Sequence, residues 1–288
     1  MKNKMNNKLG FLMLFLIMLC GINTPLTKSI MDVVPPIFNV GLRFLIAFAV
    51  MFLLRPKKIL HEASRHDLAR IFVISIFMVS GYILWNVSLL FTTATNATYF
   101  ACTSVLFIPF LAKMINKAAF HPRVFIGIGI TIGGMYFLVS NGAGFSVNPG
   151  DLLALSASVM FALQVIYTAK YVERIDSFLI AAYQFLFVGG IALAISFLFR
   201  EEVGWTSFGL LEISALLFAG ILITAALYYV QTRAQLQLSE NTIGVLYALL
   251  PLFAAIFSWM ILGETLSPIG IAGGGMMVLG VALAAVYN

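Results

Sequence analysis

Charged side chains are scarce in this sequence. Only 10% of the 288 residues are Asp, Glu, Lys or Arg, whereas 61% are hydrophobic and the mean hydropathy is +1.02. A soluble protein carries about 25% charged residues, so this chain could not cover a water-facing surface. A chain that crosses a membrane many times needs few charges, because lipid contacts most of its surface. The composition therefore indicates a multi-pass membrane protein and excludes a soluble globular one.

Reactive and metal-binding residues are also few. The two cysteines, Cys20 and Cys102, lie in apolar runs, and there is no CxxC motif and no cysteine–histidine pair. This pattern predicts neither a disulfide framework nor a zinc site. No Asp or Glu lies near the middle of any long apolar run, and the three histidines lie between such runs. An intramembrane enzyme would need these residues at depth, so we predict a protein that is not an enzyme and has no cofactor.

Ten apolar runs are long enough to cross a membrane, which takes about 20 residues. The connections between them are short and contain helix breakers, and none could hold a folded soluble domain. We refer to the runs as segments 1 to 10 and predict an all-α integral membrane protein. They lie near 9–28, 36–54, 69–91, 95–116, 122–140, 150–170, 177–199, 210–232, 240–262 and 267–287.

The basic residues predict the orientation of these segments. With a cytoplasmic N-terminus, the inner stretches hold fourteen Lys and Arg residues, and the outer loops hold two, Lys28 and Arg200. Because Lys and Arg concentrate on the cytoplasmic side, both termini should be cytoplasmic and the protein should lie in the plasma (inner) membrane. The net charge of +6 is then a topology signal, so the predicted partner is the lipid bilayer and not nucleic acid.

The second half of the sequence repeats the first. A shift of 146 places "TATNAT" (93–98) on "SENTIG" (239–244), and the spacing of prolines and glycines in segment 5 recurs in segment 10. Three pairs of polar positions also coincide. With shifts of 146 or 141 they are Tyr82 with Tyr228, Asn23 with Gln164, and Arg43 with Gln184.

This duplication predicts two five-helix repeats, residues 1–142 and 143–288. Because five is odd, the second repeat must enter the membrane upside down relative to the first. Inverted repeats are typical of secondary transporters, in which exchanging the conformations of the two halves opens the site to alternate sides. The predicted fold is therefore ten transmembrane helices arranged as two inverted repeats.

Three stretches resemble a known family. They are "GINTPLTK" in segment 1, "LRFL" in segment 2, and "LLPLFAAIFSWMILGETLSPIGIAGGGMMVLGVAL" across segments 9 and 10. The sequence is similar here to the drug/metabolite transporter superfamily, EamA type. In the first repeat "MINKAAFHP" replaces the "LGE" pattern, so Glu264 has no acidic counterpart. The resemblance implies a carrier of small molecules, often an exporter of amino acids or other metabolites. A drug, nucleotide-sugar or phosphorylated-metabolite carrier is the alternative.

Polar residues spaced by three or four form stripes on several segments, which should face partner helices or a watery cavity. Interhelical hydrogen bonding is the alternative role for each of them. Segments 5 and 10 carry glycines four apart and should serve as packing or dimer helices, in a monomer or a homodimer. Pro109 and Pro251 should bend segments 4 and 9, as hinges or as static kinks. The predicted substrate-binding residues are Asn23, Arg43, Tyr82, Asn86, Tyr99, Thr103, Gln164, Gln184, Tyr228 and Tyr247.

Arg43 is the basic residue that lies inside a segment. It follows Pro36 by seven residues, which places it about 10 Å deep along a helix that rises 1.5 Å per residue. Two roles are open to it. Its guanidinium could hold the fold together by hydrogen bonds, or it could bind a substrate carboxylate, for which the planar group is well shaped.

Overall fold

A computed structural model of the chain describes residues 2–116, 124–140, 148–265 and 267–286. Within these residues the chain forms helices and turns and no strand. The predicted boundary at 142/143 lies outside this part of the chain. The α-helices are α1 (Lys2–Ser29), α2 (Pro36–Leu54), α3 (Pro56–His61), α4 (Arg65–Ser88), α5 (Ala94–Cys102), α6 (Ser104–Asn116), α7 (Val124–Ser140), α8 (Pro149–Val172), α9 (Ser177–Leu198), α10 (Leu210–Phe218), α11 (Leu227–Ala234), α12 (Glu240–Tyr247), α13 (Leu250–Leu262) and α14 (Pro268–Val286). A 3₁₀ turn spans Trp205–Ser207, and a π-helix, Ala219–Ala226, joins α10 to α11.

Eight stretches are long and apolar enough to cross a membrane, and they coincide with eight of the ten predicted segments. This confirms the all-helical, multi-pass architecture. The stretches in segments 5 and 10 are shorter apolar helices, Phe125–Phe137 and Pro268–Gly280, so a full count of ten crossings stays a prediction. The eight are Leu9–Ser29, Pro36–Leu54, Arg65–Ser88, Ala94–Ile115, Pro149–Val172, Ser177–Leu198, Leu210–Ala234 and Thr242–Leu262.

Polar residues begin several helices at the membrane surfaces. The hydroxyl of Thr93 accepts a hydrogen bond from the backbone N–H of Asn96 at the start of α5, and Asn148 forms a capping box with Asp151 at the start of α8. The first N–H groups of a helix have no partner within it, so such caps stabilise the helix end. The start of α2 is capped by a residue that is distant in the sequence. Both carboxylate oxygens of Glu201 accept bonds from the N–H groups of Ile37 and Phe38, at 3.0 and 2.7 Å.

A second carboxylate links the two halves at the predicted outer end of the bundle. Glu264 follows α13, and its oxygens accept hydrogen bonds from Ala94 N and Thr95 Oγ1, at 3.2 and 2.6 Å. At the predicted cytoplasmic end, Lys58 Nζ lies 2.9 Å from the carboxylate of Asp176 before α9. Lys58 donates this hydrogen bond to Asp176, and the bond raises the pKa of the Lys58 ammonium.

Segments 5 and 10 pack against each other, which agrees with the packing role predicted for each, but the closest approach involves other glycines than those four apart. A Cβ at Gly134 would lie 2.5 Å from the carbonyl oxygen of Gly273 and 2.7 Å from Met277 N. A Cβ at Gly129 would meet no atom within 4 Å. The α7–α14 crossing therefore depends on Gly134, and on Gly280 opposite Thr131.

Segments 4 and 9 are broken at equivalent positions of the two halves. Segment 4 breaks at Thr103, between α5 and α6, and segment 9 breaks at 248–249, between α12 and α13. The prediction for Pro251 holds, because Pro251 stands in the first turn of α13 and has no N–H to continue the preceding helix. Pro109 lies inside α6, one and a half turns beyond the break, so the interruption of segment 4 is not at this proline.

Candidate functional site

A cavity lies among the helices at the level of the two breaks. Its volume is about 80 Å³, several times the ~10–15 Å³ that one ordered water needs. It holds several waters or the head of a small solute, so a larger metabolite requires the walls to move. Its described lining residues are Cys20, Asn23, Thr24, Arg43, Tyr82, Trp85, Thr98, Ala101, Cys102, Ser104, Ile108, Phe161, Gln164, Val165, Tyr228, Gln231, Gly244, Tyr247 and Leu250.

Six of the ten predicted site residues line this cavity. The structure brings together residues from α1, α2, α4, α8, α11 and α12, which are far apart in the sequence. Segment 7, which the sequence also placed at the cavity, contributes none of the described lining residues. The six are Asn23, Arg43, Tyr82, Gln164, Tyr228 and Tyr247.

The other four lie elsewhere in the bundle. Asn86 accepts a hydrogen bond from Asn39 Nδ2 at 3.1 Å, and Thr103 Oγ1 donates to the carbonyl oxygen of Phe100 at 2.6 Å, at the break in segment 4. The ring of Tyr99 packs edge-on against the ring of Phe100, and the side chain is almost fully buried. Gln184 is buried in α9. Their contact with a substrate stays a prediction that this conformation does not display.

Tyr82 and Tyr228 meet at the cavity. Their hydroxyl oxygens lie 2.5 Å apart, and their rings cross edge-on with centroids 6.1 Å apart. Tyr82 belongs to the first half and Tyr228 to the second, at the positions that the 146-residue shift aligns. The two tyrosines thus form one wall of the cavity, and this wall contains one residue from each half.

Arg43 lines the cavity, and its side chain is almost completely buried. Its side chain is 1% exposed, its Nε donates to Thr224 Oγ1 at 2.9 Å, and its guanidinium carbon lies 5.0 Å from the ring centroid of Tyr82. The hydrogen bond and the ring face stabilise the charge. Among the described residues no Asp or Glu forms a salt bridge with Arg43. The guanidinium is therefore positioned by neutral groups, and no described residue neutralises its charge.

A π-helix positions the acceptor for Arg43. Thr224 lies within Ala219–Ala226, and its hydroxyl donates to the carbonyl oxygen of Ala219, five residues back, at 2.8 Å. Gly220 begins the same turn, and a Cβ there would lie 3.0 Å from the carbonyl oxygen of Arg43. The glycine thus allows this segment to approach α2 closely, and the widened turn presents the threonine to the guanidinium. Such π-turns occur often at functional sites.

Comparison with known proteins places this architecture in a family. The family model described as "EamA-like transporter family" matches residues 8–140 and 148–286. The chain belongs to the EamA-like transporter family. The resemblance found in the sequence is thereby confirmed, and a transport function follows for the chain in general terms.

Relatives of this EamA-like protein are named as transporters. An uncharacterized transporter of Archaeoglobus fulgidus is 27% identical over 91% of this chain and 81% of its own length. The uncharacterized transporter YvbV of Bacillus subtilis is 26% identical over 98% and 93%. A protein of Chlamydia muridarum named "S-adenosylmethionine/S-adenosylhomocysteine transporter" is 26% identical over 90% and 85%. A solved crystal structure with 19% identity superposes with a TM-score of 0.79, covering 98% of this chain and 97% of that one, which shows the shared fold.

Several lining residues of this EamA-like protein escaped the sequence prediction. Trp85 and Phe161 lie three residues from Tyr82 and Gln164 on the same helix faces, but apolar rings carry no polar signal in an apolar segment. Gln231 lies three residues after Tyr228, and its Oε1 accepts a hydrogen bond from Tyr247 OH at 2.7 Å. Its position in the polar stripe of segment 8 is the sequence feature that could have identified Gln231 as a lining residue.

Proposed function

We propose that the protein is a secondary transporter that moves small polar or amphipathic metabolites, among them amino-acid-like solutes, across the plasma membrane by alternating access, in the outward direction. The observation that carries the proposal is the convergence of polar side chains from both halves on one membrane-embedded cavity. Transporter sites typically lie near the bilayer midplane, at the interface of the repeats and beside interrupted helices.

The pattern of helix contacts supports two related halves. α7 packs on α14, and α2 packs on α9, so segments 5 and 2 each contact their own counterparts. α4 packs on α8 in the same way that α11 packs on α1, and α6 packs on α8 in the same way that α13 packs on α1. Exchanging the halves leaves this set of contacts unchanged. An inverted-repeat carrier needs this property, because its two end states are related by that exchange.

The proposal is tested by solute exchange in proteoliposomes made with the purified protein. Radiolabelled amino acids and a wider metabolite mixture are loaded, with and without a pH gradient, and saturable uptake is measured. We expect saturable exchange of at least one polar or amphipathic metabolite. Liposomes that show no more exchange than protein-free ones for every solute would contradict the proposal.

A nucleoside-containing solute is the second candidate, because one relative is named for S-adenosylmethionine and S-adenosylhomocysteine. The rings of Trp85 and Phe161 could stack on a purine. A phosphorylated solute has less support. Phosphate binding sites usually contain several cations, and Arg43 is the one charged residue among the described lining residues.

The tyrosine wall gives a first prediction on transport. Tyr228→Ala should reduce exchange at least tenfold, because it removes both a ring and a hydroxyl from the cavity wall. Tyr229→Ala is the matched control, since Tyr229 is on the same helix but packs on the ring of Phe178. If both variants reach the membrane at normal levels and exchange equally well, the wall formed by Tyr82 and Tyr228 only packs the bundle.

The orientation gives a second prediction. In a variant in which Ala replaces Cys20 and Cys102, a cysteine at Ser207 should react with an impermeant maleimide from outside the cell, and one at Lys57 should not. Both side chains are exposed, so access to the reagent alone decides the outcome. Labelling of Lys57→Cys and protection of Ser207→Cys would reverse the proposed topology.

A further inference from the structure

Three buried polar atoms of cavity-lining residues have no hydrogen-bond partner among the described residues. They are Asn23 Oδ1, Arg43 Nη1 and Gln231 Nε2. Their side chains are 2%, 1% and 1% exposed, and all three residues line the cavity. Buried polar groups in folded proteins are nearly always paired. Four more buried atoms are unpaired among the described residues, but they belong to residues outside the cavity lining: Gln184 Nε2, Gln235 Oε1, Gln237 Oε1 and Ser258 Oγ. The three that belong to lining residues are the ones that a solute in the cavity could pair.

Two of the three atoms are donors. Arg43 Nη1 belongs to a cationic guanidinium, and its Nε is already occupied by Thr224. Gln231 Oε1 is occupied by Tyr247 OH, so Nε2 is the atom of this amide that remains. A carboxylate complements such donors, because it accepts hydrogen bonds through two oxygens and carries the opposite charge.

The third atom, Asn23 Oδ1, is an acceptor and requires a donor from the solute. An ammonium or a hydroxyl would serve equally by geometry. The charge of the cavity decides between them. Among the described lining residues Arg43 carries the one charge and no Asp or Glu is present. A zwitterionic solute would leave one positive charge in this apolar site, whereas a monoanion with a neutral donor leaves none, and uncompensated charge is strongly disfavoured at low dielectric constant.

Much of the remaining wall is apolar or aromatic, with Trp85, Phe161, Val165, Ile108 and Leu250, and further polar groups belong to Thr24, Thr98, Ser104 and Gln164. The apolar and aromatic side chains would contact the body of the solute and exclude water from the charged pair. From these contacts we infer that the cavity selects amphipathic monocarboxylates that carry a neutral hydrogen-bond donor, such as aromatic 2-hydroxy acids, over zwitterionic amino acids of the same size. The inference rests on the proposed transport function and narrows its substrate class.

A series of ligands that share one benzyl group tests this selectivity. Binding of 3-phenyllactate, 3-phenylpropionate, phenylalanine and 2-phenylethylamine to the full-length protein in nanodiscs is measured by calorimetry at pH 7. We expect 3-phenyllactate to bind about tenfold or more tightly than phenylalanine, and 2-phenylethylamine to bind most weakly. Phenylalanine binding as tightly as 3-phenyllactate, or an absence of binding for the whole series, would overturn the inference.

Two nearly isosteric substitutions test which residue is responsible for each binding preference. Gln231→Glu keeps the acceptor for Tyr247 but adds a negative charge, so it should weaken 3-phenyllactate about tenfold and abolish the preference over phenylalanine. Asn23→Leu should remove the advantage of 3-phenyllactate over 3-phenylpropionate, which lacks the hydroxyl. Either ratio remaining at its wild-type value would contradict the assigned role of that residue.

Arg43→Gln copies the residue that the second half carries. It should fold and lose about tenfold or more in affinity for 3-phenyllactate while the affinity for 2-phenylethylamine does not fall. Unchanged affinity for 3-phenyllactate would assign Arg43 to the fold alone. If this variant does not fold, the Gln231→Glu ratio decides the matter, because that change leaves the guanidinium and its bond to Thr224 in place.

Binding and transport can fail separately. Saturable exchange of zwitterionic amino acids or S-adenosylmethionine in proteoliposomes, without any monocarboxylate preference, would refute the inference and leave the proposed transport function standing. Selective binding of 3-phenyllactate with no exchange of any solute would refute the transport function and leave the selectivity of the cavity standing.

Discussion

Replacing Thr224 by valine should destabilise the folded protein although the two side chains have the same shape. The hydroxyl of Thr224 is the acceptor for Arg43 Nε at 2.9 Å, and the residue is fully buried. Valine leaves no cavity, so the change isolates the hydrogen bonds. It leaves Nε of a buried cation without an acceptor and breaks the bond from Thr224 to the carbonyl oxygen of Ala219.

The size of the effect follows from two reference values. Hydrogen bonds between membrane helices contribute ~0.6 kcal/mol on average and up to ~1.7, and bonds to charged groups in proteins contribute ~1.5–3 kcal/mol. The Arg43–Thr224 bond has a charged donor and is inaccessible to water, so we expect a loss of about 1.5–2 kcal/mol of unfolding free energy. For a protein of this size that corresponds to a decrease in Tm of roughly 3–8 °C.

To measure this decrease in Tm, the protein is heated in detergent and the fraction that stays soluble is quantified by size-exclusion chromatography. Thr232→Val is the matched control. Thr232 is equally buried on the same segment, but its hydroxyl donates only to the carbonyl oxygen of Tyr228, four residues back. The control should lose less than about 1 kcal/mol, and Thr224→Ser should retain most of the stability. Equal Tm values for the two valine variants would show that the Arg43–Thr224 bond contributes no stability.

Two further pairs of variants test the packing and the capping of the helices by the same unfolding assay. Gly134→Ala should lower the free energy of unfolding by about 1–3 kcal/mol, because the added Cβ meets the α14 backbone at 2.5 Å. Gly129→Ala should be neutral or slightly stabilising, because its Cβ meets nothing within 4 Å. Equal losses for the two variants would show that the α7–α14 crossing does not depend on Gly134. Glu201→Gln should cost about 0.5–1 kcal/mol at low salt and less at high salt, because its carboxylate accepts from two N–H groups at the start of α2. The neighbouring Glu202→Gln should have no effect, and a salt-independent loss at Glu201 would rule out the electrostatic explanation.

Much of the fold could be predicted because lipid imposes a simple condition on the sequence. A spanning helix must be apolar over most of its length, so hydropathy alone located the segments. The breaks were harder to locate. Pro251 marks the break in segment 9, since it cannot donate to the preceding turn. The equivalent break at Thr103 has no proline, and there the threonine hydroxyl bonds instead to the carbonyl oxygen of Phe100. Such a local rearrangement leaves no distinct pattern in the sequence.

The placement of the site residues could be predicted only in part, because a polar stripe fixes a face of a helix but not what that face meets. Asn86 lies one turn from Tyr82, yet its side chain forms a hydrogen bond with Asn39 on α2 and does not line the cavity. Polar stripes therefore identified several of the helices that converge. The rotation of each helix about its axis, which decides the partner, is set by packing against several neighbours at once and cannot be read from one helix.

The repeat predicted the tyrosine wall but not the surroundings of Arg43, because the two halves differ there. The aligned position, Gln184, is buried in α9 away from the cavity. The π-helix that presents Thr224 also has no counterpart, since α4 is a regular α-helix across the aligned residues 73–80. The cavity thus has a charged group on one side, beside two aligned pairs of polar residues, Tyr82 with Tyr228 and Asn23 with Gln164. A symmetric cavity could bind a solute in two opposite orientations. With Arg43 as the one cation among the described lining residues, a charged solute has one favoured orientation. Under the proposed alternating-access mechanism, it must leave that cation again when the halves exchange conformations.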